Sequence, residues 1–149
     1  MHVLAFSITV VLCFIAILHA LWGIGIWWPV SNEQDLARTV VGAPGIVHMP
    51  GPTPCFMVAS ALCVNAMIVI LMGRLVTIDW IPAWMIGLSG FIAASVFTLR
   101  GIIGYTPFWA RITPEAPFRS YDLWYYSPLC LALGVGMFGL VYSFFQRSG

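Results

Sequence analysis

The chain has 149 residues, of which 61% are hydrophobic and only 7% are charged. Soluble domains carry about 25% charged residues, so this chain lacks the polar surface that water requires, and lipid must surround most of it. A formal net charge of +1 excludes the basic surface of a nucleic-acid-binding protein.

The first apolar run, over about residues 3–28, predicts a membrane-spanning helix. It is too long for the hydrophobic region of a secretory signal, no basic region precedes it, and no A-x-A cleavage site follows it. We therefore expect this run to be retained as the first helix of the protein.

Three further apolar runs, at about residues 54–76, 80–105 and 127–146, predict three more helices. Each is long enough to cross a bilayer, which takes about 20 residues, whereas a membrane-spanning strand needs about half that length. Backbone groups in lipid must be satisfied internally, which also favours helices. The sequence therefore predicts an all-α, polytopic membrane protein with one membrane domain, residues 1–149, folded as an up-down four-helix bundle.

The three connections between these helices differ in length. The middle one, around residues 77–81, predicts a tight turn. The first, residues 29–53, and the third, residues 106–126, both hold prolines, and the third also holds aromatic residues, among them Trp109, Phe118, Tyr121 and Trp124. Connections of about 15 residues or more are usually functional or disordered. The prolines of both loops and the aromatic residues of the third favour order, and both loops lie on the same face of an up-down bundle. We expect these two long loops to pack together as a cap.

Local signals mark where two helices begin and how the bundle is divided. Thr53-Pro54 and Ser127-Pro128 each combine a capping hydroxyl with a proline at the first helical position, so each predicts a helix start. A weak echo between the two halves of the chain suggests two hairpin units. Asn65, near the middle of the second helix, is interpreted as an interhelical hydrogen-bonding residue.

Arg100 is the first candidate for chemistry. It lies about five residues before the end of the third helix, hence about 7–8 Å below the long-loop face. Ionisable residues at this depth usually face the protein interior and have a partner, and the candidates are Asp122, Glu115 and Glu33. The alternative is an arginine that extends to the membrane interface.

His19 is the second candidate, about 13 Å below the same face. Trp22 and Gly23 share its side of the helix. One interpretation is a histidine hydrogen-bonded inside the bundle; the other is a ligand-binding or proton-transfer group beneath the cap. The approach of His19 and Arg100 to one face is the strongest functional indication in the sequence.

Established motifs of catalysis and metal binding are missing from the sequence. His48 lies in the first loop, but without C-x-x-C-H or H-E-x-x-H we expect no metal or haem and predict no cofactor. The cysteines form no C-x-x-C pair, and in apolar helices they act as small hydrophobic residues. No nucleophile, P-loop or paired-carboxylate motif identifies a catalytic residue, so enzymatic activity is left open.

Three short motifs carry a resemblance to a known family. They are H-x-x-W-G at His19, Trp22 and Gly23, Arg100 followed by G-x-x-G-Y, and Y-S-P-L-C from Tyr126. Together they resemble a bacterial family of small four-helix integral membrane proteins that is catalogued as a domain of unknown function. The resemblance spans most of the chain and implies four helices and a bacterial inner-membrane location, and it implies no particular reaction.

Three functions remain open. The first is binding of a hydrophobic small molecule with a polar head, such as a quinone, isoprenoid or lipid, in a pocket under the cap. The second is an accessory subunit of a larger membrane complex, with another membrane protein or a second copy as partner. The third is a small membrane enzyme in which His19 acts as acid or base and Arg100 holds an oxyanion or carboxylate. The predicted ligand-binding residues are His19, Trp22, Arg100, Tyr105, Asp122 and Tyr126.

The membrane orientation follows from weak signals. Arginines near the two faces number two against three, which does not decide the orientation. Short turns tend to be cytoplasmic, so we expect a multi-pass protein of the inner membrane with cytoplasmic termini and with membrane lipids as its surroundings.

Overall fold

The computed structural model describes residues 1–78 and 80–147, and within them the regular structure is entirely helical. The helices are α1 His2–Gly23, α2 Glu33–Val40, α3 Pro52–Met72, α4 Ala83–Gly104, α5 Pro107–Ile112, α6 Ala116–Tyr121 and α7 Ser127–Gln146, with a π-helical segment, Asp122–Tyr126, between α6 and α7.

Four helical runs are long and apolar enough to cross a membrane: α1, α3, α4 and the continuous run from α6 through the π segment to the end of α7. Their apolar side chains point outward over much of their length, which suits helices that face lipid. The prediction of an all-α, four-helix membrane protein is confirmed.

The bundle consists of two helical hairpins placed side by side. α1 packs chiefly against α3, and α4 packs chiefly against α7, whereas the hairpins meet each other through smaller α3–α4 and α1–α7 contacts. Buried side chains from all four helices form one core, among them Leu12, Val69, Ala94, Met137 and Leu140. The two-hairpin division suggested by the sequence echo agrees with this arrangement.

Glycines bring α4 and α7 together. A Cβ on Gly134 would overlap the Thr98 hydroxyl and would lie 3.0 Å from the backbone oxygen of Ala94. Gly90 brings α4 close to α3 as well, since a Cβ there would overlap the Met72 sulfur on α3 and lie 3.1 Å from Val141 Cγ2 on α7. Helices in lipid associate by close packing rather than by the hydrophobic effect, so small residues at these positions stabilise the bundle.

The ends of three helices differ from the sequence prediction. α1 ends at Gly23 rather than at residue 28, because the chain turns at Gly25, whose φ of +84° cannot continue a helix. α3 begins at Pro52 after Gly51, so Thr53-Pro54 lies inside the helix and is not its start. α4 begins at Ala83 rather than at residue 80. The predicted turn around residues 77–81 includes residue 79, which lies outside the described residues.

α7 begins at Ser127, as the sequence predicts, but the capping role expected of the Ser127 hydroxyl is wrong. The helical run begins at Ala116 and passes through the π segment into α7 without a break. The Ser127 backbone N–H donates to the Asp122 carbonyl oxygen five residues earlier, so the chain passes through a π turn just before Pro128, which has no N–H to donate. The Ser127 hydroxyl therefore does not cap a helix and is available for the site described below.

The two long loops form the predicted cap. Arg38 Nε donates to Glu115 Oε2 at 2.8 Å, and the Gly45 amide donates to Glu115 Oε1 at 3.2 Å. The Tyr126 hydroxyl donates to the carbonyl oxygen of Thr39 at 3.2 Å. These bonds join residues more than 65 positions apart in sequence, so the loops fix one another across the end of the bundle.

Candidate functional site

Arg100 and Asp122 form an ion pair at the cap end of α4. Arg100 Nη2 donates to Asp122 Oδ1 at 2.7 Å; Asp122 is completely buried, and the Arg100 side chain is 30% exposed. Of the three acids considered as partners, Asp122 is the one that pairs with Arg100. Glu115 pairs with Arg38 in the cap, and Glu33 lies in the first loop.

Ser127 completes a three-residue arrangement with this pair. Its hydroxyl donates to Asp122 Oδ1 at 3.1 Å and accepts from Arg100 Nη1 at 3.4 Å. Asp122 and Ser127 are five residues apart, and a π turn joins residues at that spacing. Ser127 is not among the predicted site residues because Ser127-Pro128 is interpreted from the sequence as the start of a helix, and α-helical spacing does not place residues five apart side by side.

The glycines that follow Arg100 make the arrangement possible. A Cβ on Gly104 would overlap Ser127 Oγ and lie 3.0 Å from Asp122 Oδ2, and a Cβ on Gly101 would lie 2.9 Å from the Ser127 carbonyl oxygen. The G-x-x-G motif therefore allows α4 to approach the π segment closely enough for Arg100 to reach it.

Arg119 adds a second cation to the site. Its Nη1 donates to the Gly104 carbonyl oxygen at 2.7 Å and lies 3.7 Å from Asp122 Oδ2. Asp122 Oδ2 is buried and has no hydrogen-bond partner among the described residues. Two arginines around one aspartate leave a formal charge of +1. The i, i+3 spacing of Arg119 and Asp122 is the sequence signal that would have found this residue.

Trp109 covers the Arg100 guanidinium. The ring centroid lies 4.8 Å from Arg100 Cζ, within range of a cation–π interaction. The Thr106 hydroxyl accepts the Trp109 backbone N–H at 3.2 Å, which sets the start of α5 and the position of the ring. The indole nitrogen, Nε1, is buried and has no acceptor among the described residues. The site therefore contains a buried donor that the described chain leaves unsatisfied.

Tyr105 and Tyr126 flank the site, and their hydroxyls are engaged. The Tyr105 hydroxyl donates to the Leu123 carbonyl oxygen at 3.2 Å, and the Tyr126 hydroxyl donates to the Thr39 carbonyl oxygen. Both phenols therefore hold the cap and the π segment in place.

His19 and Trp22 lie in a different part of the bundle. His19 Nδ1 donates to the Ile15 carbonyl oxygen at 2.8 Å, and the rings of His19 and Trp22 are 4.8 Å apart. Trp22 Nε1 donates to the Trp28 carbonyl oxygen at 2.8 Å.

Trp22 belongs to a small apolar cluster with Leu36 and Cys55 that is distinct from the main core. Among residues 1–78 and 80–147, no hydrogen bond, ion pair or ring contact joins His19 to Arg100. The expected meeting of these two residues under the cap is not seen, because α1 pairs with α3 while α4 pairs with α7.

Cap acids are held in the ionised form. The hydrogen bond from Arg38 and the backbone N–H of Gly45 lower the pKa of Glu115. The backbone N–H of Met49 and the hydrogen bond with His48 lower the pKa of Glu33. The cap therefore carries two carboxylates that stabilise its loops at neutral pH.

Two cavities lie away from the cap. One of about 430 Å³ is at the short-turn end of the bundle, and one of about 530 Å³ is on the outer face of α4 and α7. Under the cap, Asp122 and Ser127 are fully enclosed by protein. No group of three or more His, Cys, Asp or Glu side chains within the described residues is arranged to hold a metal ion, and the expected absence of a metal stays a prediction.

Four membrane-length helices closed at one end by a structured cap define a multi-pass helical membrane protein. Residues 12–137 match the model of the family described as "Protein of unknown function (DUF3995)", and the chain belongs to that family. The matched range includes Arg100, Asp122, Ser127, His19 and Trp22. Comparisons with curated proteins and with solved structures gave no match.

Proposed function

We propose that the protein binds a membrane amphiphile whose polar head accepts hydrogen bonds from Arg100 and Trp109. The observation that carries this proposal is the buried Trp109 indole N–H, which has no acceptor in the described chain and belongs to a ring stacked on a partly exposed guanidinium. Leaving a buried donor unsatisfied costs about 1–3 kcal/mol. An oxygen atom of a bound head group would remove that cost.

The charge of the site favours a head group with negative or strongly polarised oxygens. Arg100 and Arg119 share the single carboxylate of Asp122. Arginine presents several N–H donors in a fixed planar fork, so binding to Asp122 leaves others for a ligand. Phosphate, carboxylate and quinone oxygens have the required acceptor chemistry.

The tail of the amphiphile would lie along apolar side chains next to the site. Ile103 on α4 and Phe108 and Ile112 on α5 are exposed. These side chains offer an apolar surface to a quinone, isoprenoid or lipid tail beside the polar head. Such a combination of apolar walls and few polar groups is typical of small-molecule sites.

Fewer residues are proposed to contact the ligand than the sequence predicts. Arg100 and Trp109 would touch the ligand, while Asp122 holds Arg100. Tyr105 and Tyr126 support the surrounding backbone through their hydroxyls. His19 and Trp22 form no contact with this site in the described chain.

The test compares ligand retention in matched variants. Trp109→Phe keeps an aromatic ring over Arg100 and removes only the N–H, and Arg100→Gln removes the cation. Trp124→Phe is the control because Trp124 is highly exposed. After mild extraction, native mass spectrometry and lipid analysis should show a bound amphiphile in the wild type and the control, with at least about tenfold less in the two site variants. Equal retention in folded Trp109→Phe, Arg100→Gln and control proteins would overturn the proposal.

The location proposed for this activity is the inner membrane of a bacterium, with cytoplasmic termini. The short turn between α3 and α4 supports that orientation, and the family resemblance supports that membrane. Labelling of single-cysteine variants at residues 2 and 111 from either side of sealed vesicles tests it. Label added outside right-side-out vesicles should react at residue 111 and not at residue 2; the reverse pattern would contradict the orientation.

An accessory-subunit role is the second candidate, and Asn65 favours it. Contrary to its interpretation as an interhelical bond within the bundle, the Asn65 amide donates to the Ala61 carbonyl oxygen of its own helix at 2.8 Å. Its amide group is near the middle of α3, where a partner helix would offer hydrogen bonds that lipid does not. Asn65→Leu should abolish a higher-order complex seen after gentle extraction; an unchanged complex would count against this role for Asn65.

The enzyme hypothesis receives less support from the geometry. It needs His19 and Arg100 at one reacting group, and the described structure places them on helices that are not principal neighbours. His19 instead packs its ring on Trp22.

A further inference from the structure

The cavity of about 430 Å³ lies at the end of the bundle opposite the cap, between the end of α3, the start of α4 and the end of α7. Its size falls within the range of about 300–1,000 Å³ found for ligand pockets. Its walls are mostly apolar, with Leu71, Ile81, Ile86 and Phe144 among them, and Arg74 is the charged residue of the described lining. An apolar cavity with one cation at its edge matches the two parts of a charged lipid.

Arg74 has an unusual backbone conformation. Its φ of +52° lies in the left-handed region, which is unfavourable for a residue with a Cβ and is usually occupied by glycine at the end of a helix. Gly73 precedes it with an ordinary φ of −71°. A Cβ on Gly73 would overlap the Ala5 side chain, so Gly73 allows α3 to contact α1 closely. The left-handed residue that ends the helix is therefore Arg74 and not the glycine. Backbone strain of this kind is concentrated at functional positions.

The guanidinium of Arg74 is bonded to the backbone at the end of α7. Arg74 Nη2 donates to the Arg147 carbonyl oxygen at 2.9 Å, and Arg147 Nε donates to the Ser143 carbonyl oxygen at 2.9 Å. Among the described residues, neither arginine has a carboxylate partner, and Asp79 of the same turn lies outside them. Arg74 is therefore the described cation at the rim of the apolar cavity, and it keeps further N–H donors for an anion.

We infer that this cavity is a second binding site, for a membrane lipid with an anionic phosphate head group. The phosphate would accept hydrogen bonds from Arg74, and part of an acyl chain would occupy the cavity. Arginine binds phosphate through paired N–H donors, and juxtamembrane cations attract anionic lipids. The site is at the other end of the membrane helices from Arg100, so it does not rest on the function proposed above.

The test measures lipid-dependent stabilisation of the full chain. Thermal unfolding is followed in mixed micelles titrated with phosphatidylglycerol or, separately, with phosphatidylcholine. Phosphatidylglycerol should raise the unfolding temperature of the wild type more than phosphatidylcholine does. Arg74→Gly should lose the part of that difference that persists in Arg100→Gln, with the half-saturating lipid concentration for that part raised at least about tenfold. Glycine is favoured at a φ of +52°, so this variant is expected to fold.

Two further variants and a soluble anion complete the experiment. Arg111→Gln removes one exposed cation at the cap end and should respond like the wild type. Ala83→Phe narrows the cavity and should weaken the response while Arg74 is retained. Inorganic phosphate alone should give no comparable stabilisation. An unchanged response in Arg74→Gly, equal stabilisation by both lipids, or a full response to inorganic phosphate would each overturn the assignment.

Discussion

Gly104 lies against Ser127 so closely that a methyl group at residue 104 would overlap the Ser127 hydroxyl. The same methyl group would lie 3.0 Å from Asp122 Oδ2. This contact brings α4 to the π segment and lets Arg100 reach both Asp122 and Ser127. The polar site is therefore built on a glycine-mediated contact between two membrane helices.

Gly104→Ala should destabilise the protein. Overpacking of a close contact costs about 1–3 kcal/mol, and here the added methyl group must displace Ser127 Oγ from its bond with Asp122. The matched control is Gly139→Ala in α7, where a Cβ would meet nothing within 4 Å. Unfolding by sodium dodecyl sulfate in mixed micelles should show lower stability for Gly104→Ala and unchanged or higher stability for the control. Equal stability of the two variants would contradict the contact.

Removing Asp122 alone should harm the protein more than replacing the whole ion pair. Loss of one partner of a buried pair costs about 3–5 kcal/mol, whereas an apolar pair of similar volume is often tolerated. Arg100 is 30% exposed, so we expect Asp122→Ala to fall at the lower end of that range.

A double-mutant cycle measures this coupling. The variants are Asp122→Ala, Arg100→Met and the combination of both, each assayed by the free energy of unfolding. The double variant should be more stable than the sum of the two single losses predicts, because it no longer leaves Arg100 without a carboxylate, and Arg119 keeps its bond to the Gly104 carbonyl oxygen. Strictly additive losses would show that the two side chains do not stabilise each other.

Most of the architecture follows from the sequence because length and hydropathy decide which segments cross a membrane. The pairing of Arg100 also follows, since a charge several residues inside a membrane helix needs a partner on the same side. Three acids meet that condition, and only the tertiary contacts show that the partner of Arg100 is Asp122 and not Glu33 or Glu115.

The remainder of the site depends on features that sequence spacing does not show. The π turn places Ser127 beside Asp122, although the Ser-Pro pair is typical of a helix start. Depth along a helix also does not specify which helices are neighbours. His19 and Arg100 both approach the cap end, but their helices belong to different hairpins.

Gly42 should be less tolerant of alanine than Gly45, although both have positive φ values, of +71° and +65°. Alanine at either position is strained by the backbone. A Cβ on Gly42 would in addition overlap the buried Phe118 ring, whereas one on Gly45 meets nothing within 4 Å. Thermal unfolding of the two alanine variants should show a larger loss for Gly42→Ala. Equal losses of stability in the two variants would mean that the first loop does not pack against Phe118 at Gly42.

Acidification should weaken the cap through Glu115. The hydrogen bond from Arg38 and the Gly45 N–H hold the pKa of Glu115 below its ordinary value of 4.5. A carboxylate with a lowered pKa in the folded state stabilises that state above its ordinary pKa, and this stabilisation is lost as the pH falls through the lowered pKa. Glu115→Gln should therefore be less stable than the wild type at pH 7, and the two proteins should converge as the pH falls below 4.5. Thermal unfolding across this pH range checks the convergence. A wild-type advantage over Glu115→Gln that stays constant down to the acid limit would contradict an ionic origin for this part of the stability of the cap.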